Sequence, residues 1–314
     1  MMEKHLLLSI DDDRLRRVTT YASVFVAMTL IIGKLIAYLL TDSVAMLSSL
    51  VDSTVDLLAS LVTVYGVANA LRPPDHDHRY GHGKAEPLAA LAQAAFIIGS
   101  SVLLCYESIS RFYHPHELKH TVFGYVVMVV AMVLTMALLM LQRYVIKRTN
   151  SMAIGADHLH YAGDLWINGA VLVALVMQQT TGIVWLDPVF AIAISGALIF
   201  SALHIGREAL DVLMDKELPE SDRAKIIAIA KANPAVQGVH DLRTRSDSDR
   251  IFIDFHIEMD PNMTLQAAHD VDEQIMAAIA KEFPTADVIV HQDPAGIEEN
   301  RLDSRIDQPV AGAR

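Results

Sequence analysis

The sequence predicts an α-helical membrane protein with six transmembrane helices, followed by a small α+β domain of order αββαβ. Three observations predict it. Hydrophobic residues make up 53% of the 314 residues and charged residues only 20%, with a mean hydropathy of +0.33, whereas a soluble domain usually carries about 25% charge. Six stretches, roughly 18–40, 44–71, 88–111, 121–145, 153–178 and 187–210, approach the ~20 residues needed to cross ~30 Å of hydrocarbon. Beyond Pro219 these long apolar runs give way to short amphipathic and alternating segments.

Residues 1–17 form an N-terminal segment. It is not a secretory signal, because Leu6–Ile10 is too short an apolar core and Asp11, Asp12 and Asp13 follow it. The transmembrane domain spans 18–211. Its second and fifth segments carry carboxylates, so hydropathy alone ranks them lowest. Basic residues fall on one side of the expected bilayer: Arg14, Arg16 and Arg17, then Arg72, Arg79 and Lys84, then Arg143, Lys147 and Arg148, then Arg207 and Lys216. The other side has only Arg111 and Lys119. Both termini are therefore expected to be cytoplasmic, a same-side placement that six spans fit and five or seven would break.

The soluble domain, 212–295, reads as helix 220–232, strands 237–246 and 250–259, helix 264–282 and strand 286–291. In the second strand Ile251, Ile253, Phe255, Ile257 and Met259 alternate with Phe252, Asp254, His256 and Glu258. That order suggests helices covering one face of a small sheet. Residues 296–314 are rich in charge and are expected to be disordered.

The net charge of −12, with its acidic excess concentrated in 216–314, excludes a nucleic-acid partner. Cys105, the single cysteine, excludes disulfides and any Cys-based metal site within one chain.

The strongest chemical signal lies inside the spans. Asp52 and Asp56 are four apart in the second, and His160 and Asp164 are four apart in the fifth, so each pair shares a helix face. At 1.5 Å per residue both pairs fall near mid-bilayer, where a charge costs at least about 2.5–3.5 kcal/mol. Three carboxylates and an imidazole suit Zn²⁺ and similar ions. The competing reading is carboxylates facing a polar cavity or bonding between helices, and two matched pairs disfavour it. Lys34 is a further charge in the first span; it either snorkels or pairs with an aspartate.

The loop R72-P-P-D-H-D-H-R-Y-G-H-G-K offers Asp75, His76, Asp77, His78 and His82, with prolines and glycines that favour turns. A solvated polar loop is the rival reading there. In the soluble domain His240, His256, His269, His291, Gln292 and Asp293 fall at strand ends or helix faces; a two-metal centre bridged by the aspartate and unrelated surface histidines both fit their spacing. His116-Glu117-Leu118-Lys119-His120 matches H-E-x-x-H but follows Pro115 in a short loop, so it reads as a chance match rather than a protease. With His114 it suits weak metal collection.

These pieces together resemble the cation diffusion facilitator family, and within it the bacterial zinc and ferrous-iron efflux pumps. The resemblance covers about 14–295. It is carried by DSTVD at 52–56, DHDHRYGHGKAEPLAALAQ at 75–93, ADHLHYAGD at 156–164, HDLRTR at 240–245 and HQDP at 291–294. It implies a homodimer in the bacterial inner membrane whose soluble domain is metallochaperone-like. It implies a transport site of Asp52, Asp56, His160 and Asp164, and a loop site of Asp75, His78 and His82. It also implies a dinuclear site of His240, His256, His269, His291 and Asp293, with Gln292 at its margin. Leu159 matches an apolar gate, and Lys84 and Asp215 a dimer charge interlock. The activity implied is antiport of Zn²⁺, with Fe²⁺ or Cd²⁺ as further substrates, against protons, and no enzyme activity. The alternatives are a membrane-anchored metal sensor without transport and an intramembrane metalloenzyme, for which no convincing base is found.

Overall fold

A computed structural model describes residues 2–41, 44–113, 122–181, 185–297 and 301–306. They fall into two compact units, 1–210 and 211–314. The first holds six long helices: α1 (Met2–Thr41), α2 (Val44–Ala70), α3 (Ala85–Tyr113), α4 (Val122–Thr149), α5 (Met152–Thr181) and α6 (Leu186–Leu213). Among the described residues five of them are long and apolar enough to cross a membrane. The exception is α5. Its 30 residues are ample for a span, but Asp157, His158, His160 and Asp164 lower its hydropathy.

Local chemistry explains the helix ends. Helix α2 stops before Arg72-Pro73-Pro74, since a residue preceding proline is pushed out of the helical region. After α4, Asn150 adopts a left-handed φ of 49° and its N–H bonds the Ile146 carbonyl at 2.8 Å. After α6, Asp215 does the same at φ 57°, and the Lys216 N–H reaches the Asp211 carbonyl at 2.9 Å.

Small residues let the helices approach closely. A Cβ built on Gly66 of α2 would stand 2.3 Å from that of Ala89 on α3. Ala90, Ala94, Ala202, Gly206 and Ala209 line the contact between α3 and α6. Phe25, Leu39, Leu103 and Phe200 point outward and are exposed, as side chains facing lipid tails should be. At one end of the unit the buried Arg16 of α1 donates to the Thr149 carbonyl at 3.0 Å and lies 3.6 Å from Glu86 of α3. That carboxylate accepts from Ser151.

The second unit continues with α7 (Glu220–Lys231), β1 (Gly238–Ser246), β2 (Ile251–Met259), α8 (Leu265–Glu282), β3 (Ala286–Pro294) and α9 (Leu302–Ile306). Strand order is β1-β2-β3, antiparallel then parallel. The alternation read from β2 is realised: Ile253, Phe255, Ile257 and Met259 form the core with Ile226 and Ala230 of α7 and Val271, Ile275 and Ile279 of α8. The opposite face is mostly polar, with Phe252 covered by Arg245 and Ile289 exposed. Thr264 caps α8, its hydroxyl accepting from the Ala267 N–H at 3.2 Å. Thr264→Ala is expected to cost about 1 kcal/mol, read as a lower urea midpoint for the C-terminal unit.

The tail departs from the expected disorder at 301–306. Asp241 sits at a bulge in β1 with φ 51°, and its carboxylate accepts the N–H groups of Leu302 and Asp303, both at 2.9 Å. Asp303 accepts the Asp241 N–H in return at 2.9 Å. This reciprocal capping gives charged tail residues the partners that a purely compositional reading could not supply.

Candidate metal sites

The first site joins α2 and α5. His160, only 7% exposed, places its Nε2 3.0 Å from Asp56 Oδ1 and 3.9 Å from Asp164 Oδ2. One ligand atom from each of the three lies within 4.8 Å of the others. Asp164 follows His160 by one turn, so helical periodicity alone aims both at α2. Asp52 is a turn before Asp56 but exposed, and it stands outside this group. Leu159, beside His160, packs on Ala94, Ile97, Leu198 and Ala202.

Next to this site is a polar knot that the sequence reading did not single out. Asp157, 1% exposed, lies three residues before His160. Its Oδ2 accepts from Ser23 Oγ at 2.7 Å and Gln142 Nε2 at 2.8 Å. Its Oδ1 accepts from Gln93 Nε2 at 3.3 Å and Ser60 Oγ at 3.4 Å. Gln93 also donates to the Ala59 carbonyl and Thr63 Oγ1, and Tyr161 bonds Ser60. Five helices thus meet on one carboxylate. The signal was in the sequence: a second carboxylate, beside Asp164, within the ADHLHYAGD segment, and glutamines in otherwise apolar spans.

The second site is in the loop between α2 and α3. Asp75, His78 and His82 each offer a ligand atom within 4.8 Å of the others. The Asp75 Oδ1 accepts the backbone N–H of His78 at 2.7 Å and of Asp77 at 3.0 Å. The His78 N–H foremost, then that of Asp77, holds the Asp75 carboxyl below its usual range despite the opposing cost of desolvation. His82 Nε2 lies 3.3 Å from Asp75 Oδ2, while its buried Nδ1 has no hydrogen-bond partner. Gly81, at φ 87°, makes the turn that returns His82 to Asp75. His76 is exposed and outside the group. The His114–His120 group lies outside the described residues.

The third site is built by strand register. His240 pairs with His256 across β1 and β2, and His256 with His291 across β2 and β3. Three imidazoles therefore line up on one sheet face, with ring centroids 5.0 and 4.6 Å apart. Asp293, two residues beyond His291, shares that face. Its Oδ2 lies 2.8 Å from His256 Nδ1 and 3.4 Å from His240 Nε2, and its Oδ1 3.2 Å from His291 Nε2. One oxygen thus faces two imidazoles and the other faces the third, an arrangement a bridging carboxylate could use, and the buried His240 Nδ1 has no hydrogen-bond partner. The residues fit a divalent transition metal. Glu258, also missed in sequence, stands 3.7 Å from His240 Nε2 and is bound by Arg301.

Gln292 and His269 do not join this group. Gln292 projects to the other face, where it donates to Asp272 of α8. Burial pushes the Asp272 carboxyl above its usual range. His269 lies exposed on α8, on the helix side of the sheet. Lys84 immediately precedes α3, and Asp215 is 3.8 Å from Arg245.

The sequence matches the cation efflux transmembrane domain family over residues 20–214 and the cytoplasmic domain of cation efflux proteins over 218–295. Among curated proteins it is similar to the cation-efflux pump FieF of Shewanella oneidensis, 46% identical over 282 residues, covering 90% of this chain and 95% of that protein. The cation-efflux pump FieF of Cronobacter sakazakii is 43% identical over 287 residues, covering 91% and 95%. Among solved structures, the metal-bound C-terminal domain of the CzcD transporter from Thermotoga maritima is 27% identical, covering 26% of this chain and 100% of that one, with a TM-score of 0.25.

Proposed function

The chain belongs to the cation efflux family, and from that membership we propose that it exports divalent transition-metal ions, zinc foremost, from the cytoplasm in exchange for protons. The observation that carries this reading is the meeting of Asp56, His160 and Asp164 between two spanning helices. Asp52, one turn along α2, is the fourth ligand in this reading. An imidazole binds metal only when neutral and a carboxylate only when ionised, so loading releases protons and reprotonation drives the ion out. The same donor set argues against Ca²⁺ and Mg²⁺, which prefer all-oxygen shells. Iron(II) and cadmium suit the site for the same reason as zinc.

Asp75, His78 and His82 form a loop site, and His240, His256, His291 and Asp293 a regulatory one with His269 and Gln292 as outlying members. The protein acts as a homodimer in a bacterial inner membrane with both termini cytoplasmic, Lys84 and Asp215 serving as an interlock and Leu159 as an apolar gate. It has no enzyme activity. Proteoliposomes holding a zinc dye and a pH dye test the transport claim. Zinc entry with opposite proton movement is expected. A membrane-anchored sensor gives neither signal, and that result ends the proposal.

The regulatory site has its own test. Zinc at a hundred times its dissociation constant adds about 2.7 kcal/mol to the folded state. For a domain of this size that is a rise in melting temperature of roughly 10–20 °C. His256→Ala is expected to lose most of that rise, because it removes the imidazole 2.8 Å from Asp293. A full rise in the variant would place the metal elsewhere.

A further inference from the structure

Lys34 is the charge in the spans that the ligand sets leave unexplained. Among the described residues it makes no direct ion pair with a carboxylate. Its Nζ donates to Ser53 Oγ at 2.6 Å and to the Ser49 carbonyl at 3.2 Å. Ser53 is buried. Ser49, Ser53 and Asp56 follow one another at four and three residues along α2, so they share a helix face. The ammonium is thus pinned to the face of α2 that carries Asp56, beside Asp52 in sequence.

We infer that Lys34 is the fixed counter-charge of the intramembrane site. This rests on the transport reading above. Three carboxylates with a neutral His160 exceed the charge of one divalent ion by a single negative charge. A lysine held nearby makes the loaded site neutral as a whole, which is the state that crosses a low-dielectric layer at least cost. The same positive charge repels the cargo, so it weakens binding and speeds release. Lys34 therefore trades affinity for turnover, and its hydrogen bonds to α2 keep it from joining the ligands.

The sign of the effect is the test. Zinc binding to the full chain in detergent is measured by competition with a chelating dye, and the intramembrane component is the part that Asp56→Ala removes. Lys34→Met is expected to tighten that component about tenfold, because a like charge near the ion is gone, and to lower the maximal zinc flux in vesicles. Lys34→Arg is expected to keep the normal affinity. If Lys34→Met does not fold, Lys34→Gln removes the charge while retaining a donor. Unchanged or weaker binding in the neutral variants, or an equal gain in Lys34→Arg, overturns the inference. Absence of any Asp56-dependent component in the unmodified protein instead defeats the transport-site reading, and this inference with it.

Discussion

Asp56→Ala is expected to lower zinc flux at least about a hundredfold, beyond the 10–100-fold typical of losing a residue that merely supports a metal ligand. Asp56 is the α2 carboxylate nearest His160, at 3.0 Å. Without it, α2 offers only Asp52, which stands outside the ligand group. His160 and Asp164 on α5 then hold the ion from one side. His160→Ala should behave alike, since it removes the single nitrogen donor of the set. The check is the initial rate of dye-reported zinc entry at matched protein density, with an unchanged elution profile confirming the fold. Flux within threefold of normal in either variant would mean that the ion takes another route.

Asp157→Ala should instead act on stability. The substitution deletes an acceptor shared by Ser23, Ser60, Gln93 and Gln142. Hydrogen bonds between membrane helices average about 0.6 kcal/mol each, so four lost together give about 2–3 kcal/mol, more if a donor stays buried and unpaired. Thermal unfolding in detergent should show a clear drop. Asp157→Asn keeps one acceptor oxygen and should lose less. Should both variants melt like the parent, the knot contributes nothing to holding the helices together.

Much of this was legible in the residues. The i,i+4 pairs Asp52/Asp56 and His160/Asp164 announced a site because charges in a span are costly, and alternation from Ile251 to Met259 announced a strand because one face had to be covered. What stayed hidden depends on distant partners. Asp52 and Asp56 share a face, yet only Asp56 enters the ligand group, since placement across helices is set by packing and not by spacing. His269 looked equivalent to His256 by composition, but the sheet separates them. Gln93 and Gln142 lie on separate helices, and only the packing of α5 against both gives them Asp157 as a common acceptor. The helix at Leu302–Ile306 depends on Asp241, some sixty residues earlier, and no local pattern encodes that distance.

The row of imidazoles across three strands has a further implication for how the chain can vary. Strand side chains alternate between faces, so inserting or deleting one residue in the middle of β2 inverts everything beyond it. His256 would then dive among the isoleucines while Phe255 surfaced beside the imidazoles of the neighbouring strands. Lineages can lengthen the connections around this sheet freely, but an indel inside its central ribbon would erase the hydrophobic interior and the chelating face in one mutational step.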